Sequence, residues 1–275
     1  MPMRPHLETR ADMGRVEYRV RVMGSLFITS ALLPVPHGFA TRSGGVSEGR
    51  LASLNLGFSV GDVRERVEEN YRRLSAAVGA PLGALHTVKQ VHGDRVLQAS
   101  GGQHTDTLKP QVGDADALFT EQPGEWVGVS TADCVPVLLV DPEGQRVAAV
   151  HSGWRGTDAT IAARAVEALA ARGSKPESLL AAVGPAIQQC CYVVSPELAK
   201  HFAEKFGSDV VVARGDEFRL DLSRAVVRTL RSAGVKVAHM DVLQDCTSCD
   251  STRFFSHRRD SGRTGRHINF VVHRF

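Results

Sequence analysis

The chain has 275 residues, of which 43% are hydrophobic, enough to bury a sizeable core in one large or two small domains. Lys and Arg number 33 against 30 Asp and Glu, and the resulting formal charge of +3 is too small to predict nucleic-acid binding through a basic field. No run of about 18 apolar residues occurs, so we expect no membrane span. The five cysteines form a poor disulfide framework, which favours a reducing cytoplasm.

The chain contains no linker rich in Pro, Gly or Ser, so we interpret it as one domain, residues 25–275, preceded by an N-terminal extension. The extension covers residues 1–24, and its simplest interpretation is a tail. Arginine-rich stretches at 4–21 and 253–266 are local, and they fit a solvated surface better than an anion-binding site.

Helical and strand-like segments alternate along the domain and predict an α/β or α+β fold with mixed sheets. Four helices are predicted, at 63–78 before Gly79, at 157–173 from an N-cap at Thr157, from Ser195-Pro196 onward, and at 222–233 before Gly234. The strand-like runs are 85–91, 126–131, 135–141, 147–151, 179–183, 235–239 and 268–272.

The segment "CVPVLLVDPEGQRVAAVH", residues 134–151, predicts a β-hairpin with its turn at "PEGQ". With the tip between the Glu and the Gly of that turn, Pro136 lies opposite His151, and Cys134 lies opposite Gly153. Cys134 and His151 are then diagonal neighbours on one face, about 7–8 Å apart at the backbone. Two side chains can close that distance onto one metal ion or onto each other.

His92 is a third candidate ligand, because it follows a strand-like run in "KQVHGDRV". A lone Cys or His beside an apolar strand is usually just packed, but the convergence of two at one hairpin mouth favours a site. Two imidazoles and a thiolate with one open position are typical of catalytic zinc. These donors also suit zinc better than magnesium or calcium.

Charged residues flank the three candidate ligands. Asp133 directly precedes Cys134, and Asp116 lies in "GDADAL"; either carboxylate can orient an imidazole or act as a general base. Arg155 lies just before the predicted helix start at Thr157, where free backbone N–H groups favour anions. We therefore expect Arg155 to bind a phosphate or carboxylate.

The remaining cysteines give no clear signal. Cys246 and Cys249 have the C-x-x-C spacing of a metal site, but the chain offers no second pair at a suitable spacing. The sequence therefore argues against a second zinc site, and it leaves the roles of Cys190 and Cys191 open.

An ordered series of motifs resembles the bacterial YfiH-like proteins from Phe27 to the C-terminus. The motifs are "TRSGGVS", "SLNLG", "VGD", "KQVHG", "DADAL", "TADCVPVLL", "AVHSGWRGT", "VGPAIQQCCY" and "FFSHRRDSGRTGR". Members of this family are variously called multicopper polyphenol oxidases, laccase-domain proteins, peptidoglycan editing factors and purine nucleoside phosphorylases with adenosine deaminase activity. The resemblance implies a single-domain, layered α/β/β/α sandwich.

The resemblance also implies a zinc held by three residues of the quoted motifs, which here are His92, Cys134 and His151. It further suggests a set of pocket residues, namely Arg42, Asn55, Lys89 and Arg155. Two positions depart from the family pattern: Val193 replaces an acid after "CCY", and His257 replaces a tyrosine in "FFSHRRD". These departures concern the substrate rather than the metal.

Three rival functions can be compared on the residues. A four-copper oxidase needs clustered histidines, usually in H-x-H pairs, and none of the 11 histidines here forms such a pair, so we do not expect copper. A cysteine or zinc hydrolase, with Cys134 as nucleophile and His151 as base when no metal is bound, would suit an amidase that edits peptidoglycan precursors. A non-catalytic nucleotide-binding module is the third alternative.

The favoured hypothesis is a cytoplasmic zinc enzyme, with one zinc per chain, that acts on purine nucleosides. It would phosphorolyse adenosine, inosine and methylthioadenosine and would deaminate adenosine, as a monomer or weak dimer. In deamination, Asp133 or Asp116 would transfer protons while zinc activates water for attack at C6. In phosphorolysis, Arg42 and Arg155 would bind phosphate near C1′ of the ribose.

Overall fold

The computed structural model describes residues 20–23, 26–102, 105, 107–108 and 111–275. Most of the predicted N-terminal extension, residues 1–19 and 24, therefore lies outside the described residues. Residues 20–23 of that extension form a strand that pairs antiparallel with the strand at 27–30.

The described residues form two six-stranded sheets, a three-stranded sheet and five α-helices. The helices are α1 (Arg64–Val78), α2 (Trp154–Asp158), α3 (Ile161–Ala170), α4 (Pro196–Phe206) and α5 (Leu222–Ser232). The strands are β1 (Val20–Met23), β2 (Phe27–Ser30), β3 (His37–Ala40), β4 (Leu85–His86), β5 (Val96–Gln98), β6 (Ala117–Thr120), β7 (Trp126–Thr131), β8 (Val135–Asp141), β9 (Arg146–Ser152), β10 (Leu180–Val183), β11 (Val193–Val194), β12 (Val211–Arg214), β13 (Glu217–Leu220), β14 (Met240–Val242) and β15 (His267–Val272).

The two large sheets lie face to face between helical layers. The first has the strand order β1-β2-β3-β15-β7-β4, and the second has the order β14-β10-β8-β9-β6-β5. One apolar cluster fills the space between them, a second packs α1 against the first sheet, and a third packs α3, α4 and α5 against the second sheet. This arrangement confirms the layered α/β/β/α sandwich with mixed sheets.

The strands at the centre of the second sheet are mainly apolar because both of their faces are buried. In β8, Val137 and Leu139 pack towards the helices, whereas Leu138 and Val140 pack towards the other sheet. A strand buried on both sides reads as a continuous apolar run rather than an alternating one. This explains why the run in β8 could be located from the sequence.

The predicted hairpin forms with the predicted register. Strands β8 and β9 pair antiparallel, with Val135 opposite Ser152 and Pro136 opposite His151.

The helix ends are also mostly as predicted: α1 ends at Gly79 in the left-handed conformation, and the Ser195 side chain caps α4 by accepting the Leu198 N–H.

The predicted helix from Thr157 to Gly173 is wrong in detail. A short helix, α2, starts earlier, with Gly153 as its N-cap, and the Thr157 N–H donates to the Gly153 carbonyl inside it. The helical path is then interrupted at Thr160, whose φ is +60°, before α3 begins. Because the Thr157 N–H already has a partner, the free helix N-terminus expected there to attract an anion does not exist.

Two predicted strands also differ from the structure. The run at 85–91 is a strand only over Leu85–His86, and the run at 235–239 ends in a 3₁₀ turn at Val237–His239 that precedes β14. Apolar periodicity alone does not separate strands from turns in runs this short. None of the helices in the described part of the chain is both long and apolar enough to cross a membrane.

Candidate metal centre

The mouth of the β8–β9 hairpin brings the three predicted ligands together. Cys134 immediately precedes β8, His151 lies near the end of β9, and His92 reaches them from the segment after β4, where its own φ is +60°. The ligand atoms of the three residues all lie within 4.8 Å of one another. The rings of His92 and His151 meet edge to face, with 4.8 Å between their centroids.

The donor set fits zinc. Two imidazole nitrogens and one thiolate are three protein ligands of the types that zinc prefers, and three such ligands leave a fourth position for water or substrate. Tetrahedral bonds of ordinary length place ligand atoms roughly 3.3–3.8 Å apart, a separation compatible with this cluster. His151 is buried, whereas His92 is exposed, so the site lies at a surface opening.

Gly153 leaves room for the ligands. A Cβ atom at this position would lie 2.9 Å from Cδ2 of His92 and 3.1 Å from Sγ of Cys134. A side chain here would therefore occupy the space in which the two ligands approach each other. The first glycine of the "HSGWRG" motif, Gly153, is thus required for the close approach of the ligands.

Asp116 orients His151. Its side chain is fully buried, and Oδ1 accepts a hydrogen bond of 2.8 Å from Nδ1 of His151, which leaves Nε2 of that imidazole for the metal. The same carboxylate accepts the backbone N–H groups of Val91, His92 and Gly93, the last at 2.7 Å. One buried acid therefore fixes two of the three ligands, as carboxylates beside metal-bound histidines commonly do.

The electrostatics favour a thiolate at Cys134. Burial raises the pKa of this thiol, but the charge and hydrogen bonds of His151 and His92 outweigh it and bring the pKa down to about 6. Burial lowers the pKa of His151, whereas the charges and hydrogen bonds of Cys134 and Asp116 raise it to about 9. The protein thus stabilises an ionised sulfur, the form that binds metal.

Asp133 has a different environment from Asp116. It is buried with a φ of +94°, its Oδ1 accepts from the Thr247 hydroxyl at 2.6 Å, and its Oδ2 accepts from the Arg258 N–H at 2.6 Å. Both oxygens therefore tie distant loops to the residue before Cys134. Asp133 therefore positions these loops in the structure. Its role in proton transfer stays a prediction.

The metal centre opens into a cavity of about 1050 Å³. Cationic side chains line it, namely Arg64, Lys89, Arg155, Arg258 and Arg266. Aromatic side chains line it as well, namely Phe58, Tyr71, Trp154 and Tyr192. Cavities with mainly apolar walls and a few convergent polar groups are typical of small-molecule sites.

The predicted pocket residues divide into two groups. Lys89 and Arg155 line the cavity, where Lys89 lies 3.5 Å from Asp114 and Arg155 stacks over the ring of Trp154. Arg42 and Asn55 do not line it.

The two residues outside the cavity lining have partners within the fold. The Arg42 guanidinium donates to the carbonyls of Ala52 and Ser251, and it stacks over Phe255. Asn55 is fully buried, and its Oδ1 accepts the N–H of Arg266. Asn55 therefore positions the backbone of Arg266, which lines the cavity.

The cavity lining includes residues that were not predicted from the sequence, among them Arg258, Arg266 and Tyr192. Arg258 and Arg266 belong to the arginine-rich stretch that we interpreted as solvated surface, yet both side chains face the cavity. The guanidinium of Arg258 also stacks over Tyr192 and donates to the carbonyl of Val193. Both arginines belong to the "FFSHRRDSGRTGR" motif, but nothing within that segment indicates that they face the cavity.

The fold and the site define a four-layer α/β protein with a His-Cys-His centre at a hairpin mouth. Residues 36–274 match the family described as multi-copper polyphenol oxidoreductase laccase. A relative from Deinococcus radiodurans named purine nucleoside phosphorylase is 40% identical over 85% of this chain and 87% of its own length. The purine nucleoside phosphorylase YfiH of Escherichia coli is 36% identical over 86% of this chain and 95% of its own length.

A solved structure has the same fold. The crystal structure of the Bacillus licheniformis hypothetical protein YfiH superposes with a TM-score of 0.86 at 31% identity, and the match covers 92% of this chain and 98% of that one. The chain belongs to the YfiH-like family of laccase-domain proteins.

Proposed function

We propose that this protein is a zinc-dependent purine nucleoside phosphorylase. Relatives named purine nucleoside phosphorylase align along most of their length with this chain. The single observation that carries the proposal is the His92–Cys134–His151 cluster, which opens into a large cavity with cationic and aromatic walls. Phosphorolysis needs binding groups for both phosphate and a purine nucleoside, and these walls offer both.

Zinc, when bound by the three ligands, would supply a Lewis acid in the cavity. Residues of the chain would bind the phosphate and the nucleoside. Arg155 is exposed towards the cavity, and within the described residues its guanidinium makes no hydrogen bond or ion pair, so it is available to an anion. Tyr192 and Trp154 line the cavity and offer aromatic surface against which a purine base can pack.

The proposed phosphorolysis displaces the base from C1′ of the ribose. A phosphate oxygen forms the new bond to C1′ as the glycosidic C–N bond breaks, and the bonding electrons leave with the purine. Arg155 and Arg266 would orient the phosphate and partly neutralise its charge, while the departing base takes a proton from solvent water. Adenosine, inosine and methylthioadenosine share the ribosyl–purine bond that this reaction requires.

Adenosine deamination is a second candidate activity. Its support is the donor set, because zinc bound by histidine and cysteine with one open position is also the pattern of nucleoside deaminases. Those enzymes need a carboxylate that transfers protons. Asp133 lines the cavity and is the nearest acid in sequence to Cys134, although both of its oxygens already accept hydrogen bonds.

An assay with and without phosphate tests the proposal. Wild-type protein should release free purine base from inosine, adenosine or methylthioadenosine only when phosphate is present, and Cys134→Ser should lose both zinc and turnover. Glu143→Gln, at an exposed acid in the turn of the same hairpin as Cys134, serves as the control. A metal-free Cys134→Ser variant with full turnover would reject the proposal, and a peptidoglycan precursor cleaved by metal-free wild type would favour the amidase.

A further inference from the structure

Four of the five cysteines meet at a second place in the fold. Cys190 and Cys191 lie in the loop after β10, and Cys246 and Cys249 lie in the loop after β14. Their sulfur atoms all lie within 4.8 Å of one another. The sequence argued against a site here because only the pair at Cys246 had metal-site spacing; the fold supplies the second pair from more than fifty residues away.

The sulfur separations suit a shared metal better than a disulfide. Sγ of Cys249 lies 3.4 Å from Sγ of Cys190 and 3.3 Å from Sγ of Cys191. A disulfide needs a separation of about 2.05 Å. Four thiolates around one zinc, with bonds of about 2.3 Å, lie roughly 3.8 Å apart at the corners of a tetrahedron. All four cysteines are free.

Backbone contacts hold the two loops together independently of the sulfurs. Ala186 and Cys246 form a parallel bridge, and the Thr247 N–H donates to the Ala186 carbonyl at 3.1 Å. The Gln188 N–H points at Sγ of Cys246 at 3.4 Å, a common way to stabilise a ligating sulfur. The thiols are therefore brought together before any ion binds.

Charge repulsion among the sulfurs also calls for a cation. Thiolates this close cannot all ionise unless a positive charge compensates them. A divalent ion would supply that charge and bind all four as thiolates.

We propose that Cys190, Cys191, Cys246 and Cys249 form a second, structural zinc site. Four sulfur ligands leave no open position, which distinguishes it from the centre at the hairpin mouth. The site would clamp two loops that reach the cavity: Tyr192 follows Cys191 and lines the cavity, and Thr247 follows Cys246 and donates to Asp133. The protein would then hold two zinc ions per chain rather than the one predicted from the sequence.

Elemental analysis of separate variants tests this site apart from the proposed function. Wild-type protein should hold about two zinc ions per chain. Cys134→Ser and Cys249→Ser should each hold about one, and the double variant should hold none. Ser251→Ala, at an exposed position in the same loop as Cys249, is the matched control and should keep both ions.

Cobalt substitution identifies the ligands. Cys134→Ser protein loaded with Co²⁺ should show the intense sulfur-to-cobalt charge-transfer absorption of a four-thiolate site, and Cys249→Ser should lose most of it. Should Cys249→Ser fail to fold, Cys190→Ser, at the other exposed cysteine, repeats the test. The proposal would be overturned if wild-type protein held one zinc ion per chain and Cys249→Ser held the same amount. A disulfide among these cysteines in freshly purified protein would also overturn it.

Discussion

Asp116 is a fully buried carboxylate whose hydrogen bonds all go to the metal centre or its backbone support. It accepts from Nδ1 of His151 and from three consecutive backbone N–H groups around His92. The sequence left two roles open for it, orientation of an imidazole or general-base catalysis. The complete use of its oxygens by protein donors favours orientation.

Asp116→Asn separates these two roles. The amide nitrogen would face donors, so His151 would lose its fixed orientation, and zinc affinity should fall roughly 10- to 100-fold. Competition with a chelator measures that affinity. Asp114→Asn, two residues away and exposed, should leave it unchanged. A variant with wild-type affinity but a shifted pH–rate profile would instead show that Asp116 is a general base.

Arg155 is a cation available to a ligand at the cavity wall. Its guanidinium stacks over Trp154 at 4.7 Å, and the loop carbonyls of the described residues do not engage it. The structure thus removes the helix-terminus argument for an anion at this position but leaves the side chain free to bind one.

Arg155→Gln should therefore weaken phosphate binding more than nucleoside binding. A charged hydrogen bond is worth about 1.5–3 kcal/mol, so phosphorolysis should slow by roughly ten- to a hundredfold while zinc content is retained. Deamination, which uses water, should fall less. Steady-state rates with varied phosphate measure the effect. Equal losses in both reactions together with a lower melting temperature would show that Arg155 is structural.

Among the secondary-structure elements, those with a strong local signal were predictable. Strand β8 is a continuous apolar run joined to β9 by a short turn, and this fixed both the register and the meeting of Cys134 with His151. Strand β14 and the break at Thr160 have no such local signal.

Parts of the site created by long-range packing could not be predicted. Arg258 reaches the cavity because its N–H binds Asp133, 125 residues earlier in the chain. The pairing of Cys190 with Cys249 likewise spans 59 residues. Spacing within one segment carries no information on such contacts, whereas the hairpin brought its two ligands together through local geometry alone.

Strand β15 carries a buried histidine that makes stability depend on pH. His267 is 2% exposed, and its Nε2 accepts the Phe255 N–H at 3.0 Å. Burial, together with the nearby positive charges of Arg42, Arg266 and Arg259, lowers the pKa of His267 to about 3. The unfolded chain, with an ordinary histidine pKa near 6.5, therefore binds a proton that the folded chain refuses.

The free energy of unfolding should fall as the pH drops below about 6.5. Its slope approaches about 1.4 kcal/mol per pH unit, so His267 alone removes about 2 kcal/mol between pH 7 and pH 5. Urea denaturation at both pH values measures this loss. His267→Gln should show a smaller difference, and His257→Gln, at an exposed position, should keep the wild-type difference. An identical pH dependence in His267→Gln would contradict this assignment.

In the molecule as a whole, the open end of the β8–β9 hairpin and loops from both large sheets meet at one cavity. The second sheet presents two of the candidate metal ligands, and the segment after β4 of the first sheet presents the third. The loops that carry Tyr192, Arg258 and Arg266 complete the walls. The family name refers to copper, whereas two imidazoles and one thiolate form a donor set that fits one zinc ion.

Isotopic labelling of the products of adenosine turnover tests the central claim most directly. Wild-type protein is incubated with adenosine and unlabelled phosphate in ¹⁸O-labelled water, and the products are read by mass. The account predicts ribose 1-phosphate that carries no label in its sugar–phosphate linkage, and it predicts label at C6 of the base only where deamination has occurred. Free ribose in place of ribose 1-phosphate, or base release at the same rate without phosphate, would contradict it.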